Sequence, residues 1–153
     1  MIERGHDLSS PHANKELVRR FAQEVVNQAD PDAIERFVHP DYVEREPLPG
    51  QLPGREGLMR WYRDYLAAFP DLHWTLEEQV AERDRVVSRF TMVGTHRGEF
   101  LDVPGTGREV RVAIMLLQRM TEGKIIEGYT FPDGLAAFRQ LGLISSQREP
   151  PSD

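Results

Sequence analysis

The hydrophobic pattern of this chain changes period once. It is helical as far as Phe69 and alternating from Leu72 to Phe131, and that single change restricts the folds available. From Asn14, read as an N-cap, apolar residues recur at Leu17, Val18, Phe21, Val25 and Val26, one stripe of an amphipathic helix that stops before Asp30-Pro31. Asp30 can cap a second helix with Pro31 in its first position. Ile34, Phe37 and Val38 then lie on its buried side before His39-Pro40 ends it. A short strand over Tyr42 to Glu46 leads into a Pro/Gly-rich loop, and a third helix carries Leu58, Trp61, Tyr65, Leu66 and Phe69 up to Pro70.

Beyond Pro70, Leu72, Trp74 and Leu76 alternate with His73, Thr75 and Glu77, the mark of a half-buried strand. Turns at Arg83-Asp84, at Pro104 to Gly107 and at Glu122-Gly123 divide the remainder into strands over Val86 to His96, Val110 to Met120 and Lys124 to Phe131. A last helix runs from Asp133 through Leu135, Phe138 and Leu141 to a stop at Gly142. Helices first and consecutive antiparallel strands afterwards predict an α+β fold. Helices packed on one face of a strongly curved, mainly antiparallel sheet would enclose a deep pocket. The whole chain, residues 1–153, reads as one domain with an ordered core over 14–143 and loose ends at 1–12 and 145–153.

A net charge of −6 argues against nucleic acid, whose affinity rests on clustered Lys and Arg. With no cysteine, thiolate nucleophiles, disulfides and Cys-ligated zinc are excluded. No apolar run has the length of a signal peptide or a membrane span, and the expected location is the cytoplasm. His39, His73 and His96 are scattered without metal-ligand spacing, so no metal is expected. The Gly105-Thr106-Gly107 run lacks the context of a dinucleotide fingerprint, so no nucleotide cofactor is expected either. Val87, Thr91 and Val93 oppose Phe90 and Met92 on one strand, giving apolar surface on both sheet faces. This leads to the expectation of a homodimer or higher homo-oligomer covering the face that has no helices.

Several segments, taken in order, resemble one family. They are His39-Pro40-Asp41-Tyr42-Val43, Phe69-Pro70-Asp71-Leu72, Gly94-Thr95-His96-Arg97-Gly98, Gly123-Lys124-Ile125, Phe131-Pro132-Asp133 and Arg139-Gln140-Leu141-Gly142. Over roughly Asn14 to Leu143 the chain resembles SnoaL-like polyketide cyclases. The resemblance implies the cone-shaped fold shared with nuclear transport factor two and ketosteroid isomerase. It further implies intramolecular aldol closure on a hydrophobic or aromatic polyketide-like small molecule, without metal or cofactor. Fold alone does not fix the reaction. A hydroxylase or epoxide-opening enzyme of the same fold, and a non-catalytic binder of a hydrophobic metabolite, are the alternatives.

The resemblance places Asp133 where the family's cyclases carry their acid/base aspartate. Tyr129 and Phe131 are expected to flank it in the pocket and desolvate it. An Asp between a strand and a helix is also a good N-cap, so both readings stand. The resemblance puts Ile114 and Leu116 where the founding cyclase type has polar Gln and His, and Glu44 where it has Asn, so the pocket is expected to be more apolar. Whether Glu44 faces inward is not fixed by alternation. A solvated edge-strand Glu paired with Arg45 is the favoured reading. His96 is read equally as a pocket donor or a strand end. Trp61 and Tyr65 belong to a helical stripe that serves as core and pocket wall together.

Overall fold

The structure is a computed structural model that describes residues 10–145. Helix α1 (Pro11–Phe21) begins earlier than Asn14. Ser10 Oγ accepts from the Ala13 N–H at 3.1 Å and Pro11 takes the first helical position, a stronger start signal than Asn14, which is buried inside the helix. Residues 10–12, expected to be loose, are therefore part of the fold. The remainder of both expected tails, except Ser145, lies outside the described residues. The stripe continues through a π-helical segment, Ala22–Asn27, that buries Val25 and Val26.

At Asp30-Pro31 the chain forms a 3₁₀ turn (Pro31–Ala33) and a single turn of α-helix, α2 (Ile34–Phe37). It becomes extended at Val38, sooner than the expected stop at His39-Pro40. Strand β1 (Val38–Glu44) runs along the sheet edge, parallel to β5, and its register shifts between Val38 and Val43. An edge strand with an irregular stretch tolerates Pro40, which has no N–H for the ladder. Helix α3 (Gly54–Ala68) follows. Strands β2 (His73–Glu82), β3 (Arg85–Thr95), β4 (Glu109–Thr121) and β5 (Lys124–Pro132) then pair antiparallel in sequence, and α4 (Gly134–Gln140) ends the fold. The sheet order is β1-β5-β4-β3-β2, a mixed α+β architecture. The β4–β5 hairpin turns through Glu122 and Gly123, at φ 52° and 71°, the backbone that a two-residue hairpin of this hand requires.

Alternation divides the sheet into two faces. Val86, Phe90, Met92, Val110, Val112, Ile114, Leu116 and Met120 are buried on the inner face, where α1 lies over β2 and β3, α3 beside β1, and α4 over the start of β4. The outer face carries the intervening residues, among them exposed Met115 and Phe131, which pair directly across β4 and β5. Among the described residues no helix is long and apolar enough to cross a membrane.

Between α3 and β2, Asp71 ties the approach to β2 to the end of β3. Its carboxylate accepts from the Thr95 N–H and the Thr95 hydroxyl, both at 2.7 Å. Those bonds, the backbone one first, hold its pKa below the usual carboxylate range. A carboxyl whose folded pKa is depressed adds stability above its unfolded value, near 4, and loses it as pH falls through the folded value. The expected result for Asp71→Asn is a Tm lower by a few degrees at pH 7, since an exposed pair of bonds contributes about 1 kcal/mol. The gap to the parent should shrink below about pH 4, and melts at pH 7 and pH 3 check it.

Candidate active site

Between the inner face and α3 lies a cavity of about 550 Å³. Helix α3 contributes Leu58, Trp61, Tyr62 and Tyr65, while Trp74, Met92, Val110, Val112 and Thr130 come from the strands. Leu48, Pro49 and Gln51 come from the loop before α3, Phe100, Leu101 and Val103 from the loop after β3, and Ala137, Phe138 and Leu141 from α4 and its end. The aromatic wall is continuous: Phe100 stacks on Tyr65 at 5.4 Å and contacts Trp61 at 5.6 Å. Burial pushes the Tyr62 and Tyr65 hydroxyls well above the ordinary phenol range, so both remain protonated donors on an apolar wall.

One charged side chain lines this cavity among the described residues, and it is Glu44. Its inward direction follows from pairing. Glu44 stands beside Gly128 in the β1–β5 ladder and shares a strand face with buried Tyr42. The Tyr42 hydroxyl donates to Glu44 Oε2 at 2.7 Å, the Thr130 hydroxyl donates to the same oxygen at 3.2 Å, and the Glu46 N–H donates to Oε1 at 3.2 Å. Burial, and then the Glu44 charge, drives the Tyr42 pKa far above its normal value, so Tyr42 stays the donor. The expected pairing of Glu44 with Arg45 is corrected. Arg45 reaches Glu127 instead, at 3.0 Å, because neighbouring residues of a strand point to opposite faces.

The other sequence candidates fall in distinct places. Trp61 and Tyr65 line the cavity with Glu44. Leu116 is buried on the inner face beside Glu44, in a smaller cavity, and Ile114 is packed into the core without lining the large one. Tyr129 and Phe131 lie on the outer face, opposite Leu117 and Met115, with Phe131 53% exposed; the expectation that they desolvate Asp133 is corrected by this register. Asp133 is exposed and is the N-cap of α4, its Oδ1 accepting from the Ala136 N–H at 3.1 Å. It does not line the cavity, although its neighbours Pro132 and Gly134 do.

His96 directly follows the last residue of β3, as the strand-end reading has it, and it does not line the cavity. It is fully buried, stacked on Phe69 at 5.4 Å, and its Nδ1 accepts from the Thr106 N–H at 3.3 Å. The Gly107 N–H donates to the His96 carbonyl, and the Arg97 and Gly98 N–H groups both donate to the Ala68 carbonyl. His96 thus clamps the loop that delivers Phe100, Leu101 and Val103 to the cavity. Among the described residues no group of three His, Asp or Glu side chains is placed to hold a metal.

Sequence reasoning missed Tyr62, Trp74, Thr130 and this loop. The apolar Phe100-Leu101 pair, inside a stretch with no strand pattern, was the available signal.

The family profile of SnoaL-like polyketide cyclases matches residues 16–141. The chain is 29% identical over 135 residues to the aklanonic acid methyl ester cyclase DnrD of Streptomyces peucetius, covering 83% of this chain and 89% of that protein. It is also 29% identical over 121 residues to the nogalonic acid methyl ester cyclase of Streptomyces nogalater, covering 76% of this chain and 88% of that one. Among solved structures, TsrD from Streptomyces laurentii superposes with a TM-score of 0.80 at 28% identity, covering 88% of this chain and 98% of TsrD.

Proposed function

Since this chain belongs to the SnoaL-like polyketide cyclase family, we propose that it closes a ring in a neutral polyketide-derived ester by intramolecular aldol addition, with Glu44 as the acid/base. The observation that carries this is Glu44, the single carboxylate among the described residues that lines a largely apolar cavity of about 550 Å³. A carbon flanked by two carbonyls has an acidic C–H. Glu44 takes that proton, the enolate carbon bonds to a second carbonyl carbon, and the alkoxide so formed takes the proton back. One C–C bond forms, one C=O π bond is lost, and product and substrate are isomers. In this reading Tyr62 and Tyr65, which line the cavity with protonated hydroxyls, are the donors to the developing oxyanion. The aromatic wall of Trp61, Tyr65 and Phe100 suits flat rings.

A second reading puts the acid/base at Asp133. The observation favouring it is its position between Pro132 and Gly134, which both line the cavity.

The test incubates the purified protein with aklanonic acid methyl ester, in buffer with chelator and no added cofactor. A product of unchanged mass supports ring closure. A product heavier by one oxygen or one water points to hydroxylation or epoxide opening, and a ligand recovered unaltered at one per protein points to binding alone.

The outer face is proposed to pair with a second copy. Val43, Met115 and Phe131 are between 41% and 53% exposed there, on three adjacent strands. Sedimentation is expected to give a dimer that Phe131→Asp converts to monomer; a dilution-resistant monomer from the parent chain contradicts it.

A further inference from the structure

Behind Glu44 the inner face holds a second cavity of about 20 Å³, room for one water molecule. Its polar walls are Tyr42 and Glu44 of β1, Tyr62 of α3, Gln118 of β4 and Thr130 of β5. Gln118 is only 7% exposed, and its Oε1 is buried with no hydrogen-bond partner in the protein. A buried acceptor left without a partner keeps its full desolvation penalty, which one bound water relieves.

The register explains the gap. Gln118 stands opposite Gly128, and Gly128 stands beside Glu44, so the three lie in one row across β4, β5 and β1. The middle residue has no side chain, and the Tyr42 hydroxyl and Glu44 Oε2 lie over it in the space a Cβ would take, on the same row as Gln118. The ionisable groups facing this space are Tyr42, Glu44 and Tyr62, while α1 and the rest of β4 and β5 offer only apolar side chains or the Thr130 hydroxyl.

We propose that Gln118 is a positioning residue that holds one buried water behind Glu44. The water donates one proton to Gln118 Oε1 and the other to the hydroxyl oxygen of Tyr42 or Thr130. Each of those hydroxyls gives its own proton to Glu44 Oε2. A hydroxyl that accepts a hydrogen bond is a stronger donor, so the water strengthens the grip on Oε2, while Oε1 accepts from the Glu46 N–H. The inference rests on the reading of Glu44 as the acid/base.

The test uses Gln118→Leu, which removes the acceptor at similar volume, beside Glu44→Gln. The acidic limb of the pH–kcat profile in Gln118→Leu is expected to move to higher pH by about one unit, with KM within a factor of about two. Gln118→Asn, whose shorter amide leaves room for the water, should restore the parental limb in part. An unmoved limb, with Glu44→Gln inactive, overturns the role of Gln118 and leaves Glu44 in place. An active Glu44→Gln overturns the reading of Glu44 itself. If Gln118→Leu does not fold, a high-resolution crystal structure of the parent decides. One ordered water within hydrogen-bond distance of Gln118 Oε1 supports the proposal, and a Gln118 amide bonded directly to protein overturns it.

Discussion

Glu44→Gln should melt within a few degrees of the parent, bind the neutral ester with nearly parental affinity, and lose 10²- to 10⁴-fold in kcat, roughly the range for removing a general acid/base. The amide keeps the shape of the carboxylate, and its oxygen can still accept from Tyr42 and Thr130. It has no proton affinity to offer a carbon acid. The split between kcat and KM separates this from loss of packing, because a packing defect in an apolar wall raises KM as well.

Gly128→Ala is expected to be destabilising and nearly inactive, the reverse of what the residue change predicts out of context. Replacing glycine by alanine inside a strand ordinarily adds about 0.5–1 kcal/mol of stability. Gly128 does not have a positive φ, so the backbone would accept alanine. The obstacle is side-chain space: a Cβ here would collide with the Tyr42 hydroxyl and come within 3.2 Å of Glu44 Oε2. Tyr42 is buried and cannot swing into solvent, so the Tyr42–Glu44 bond must yield. Overpacking of this kind costs about 1–3 kcal/mol, and displacing a catalytic group by an ångström costs about 10²-fold in rate. A variant with a raised Tm and parental turnover would contradict the placement of Glu44.

The sequence was most legible where local pattern and tertiary burial agree. The stripes of α1 and α3, the alternation of β2 to β4 and the Glu122-Gly123 turn all have short-range causes. Strand β1 was read less well because its pairing is parallel and non-local, with β5 about 85 residues later, and nothing near Pro40 announces it. The direction of Glu44 was hidden for the same reason: the face of an edge strand is fixed by its partner's register. One clue was present, since a Tyr buried at position 42 puts residue 44 on the same side. Asp133 shows the opposite difficulty. Its place between strand and helix was plain, but capping and catalysis ask for the same residue at the same point, and only burial separates them. The wall supplied by Phe100, Leu101 and Val103 depends on the His96 clamp, a contact across ten residues of loop that no periodicity encodes.

The most direct measurement is kcat on one substrate for Glu44→Gln and Asp133→Asn, side by side, with melting curves to show that both are folded. Asn caps a helix about as well as Asp, so the second variant should keep α4 and its Ala137, Phe138 and Leu141 on the cavity. The account predicts a loss of at least about 10²-fold in Glu44→Gln and a kcat within a few-fold of the parent in Asp133→Asn. The reverse, with Asp133→Asn nearly inactive and Glu44→Gln close to the parent, would contradict it and assign the proton transfer to Asp133.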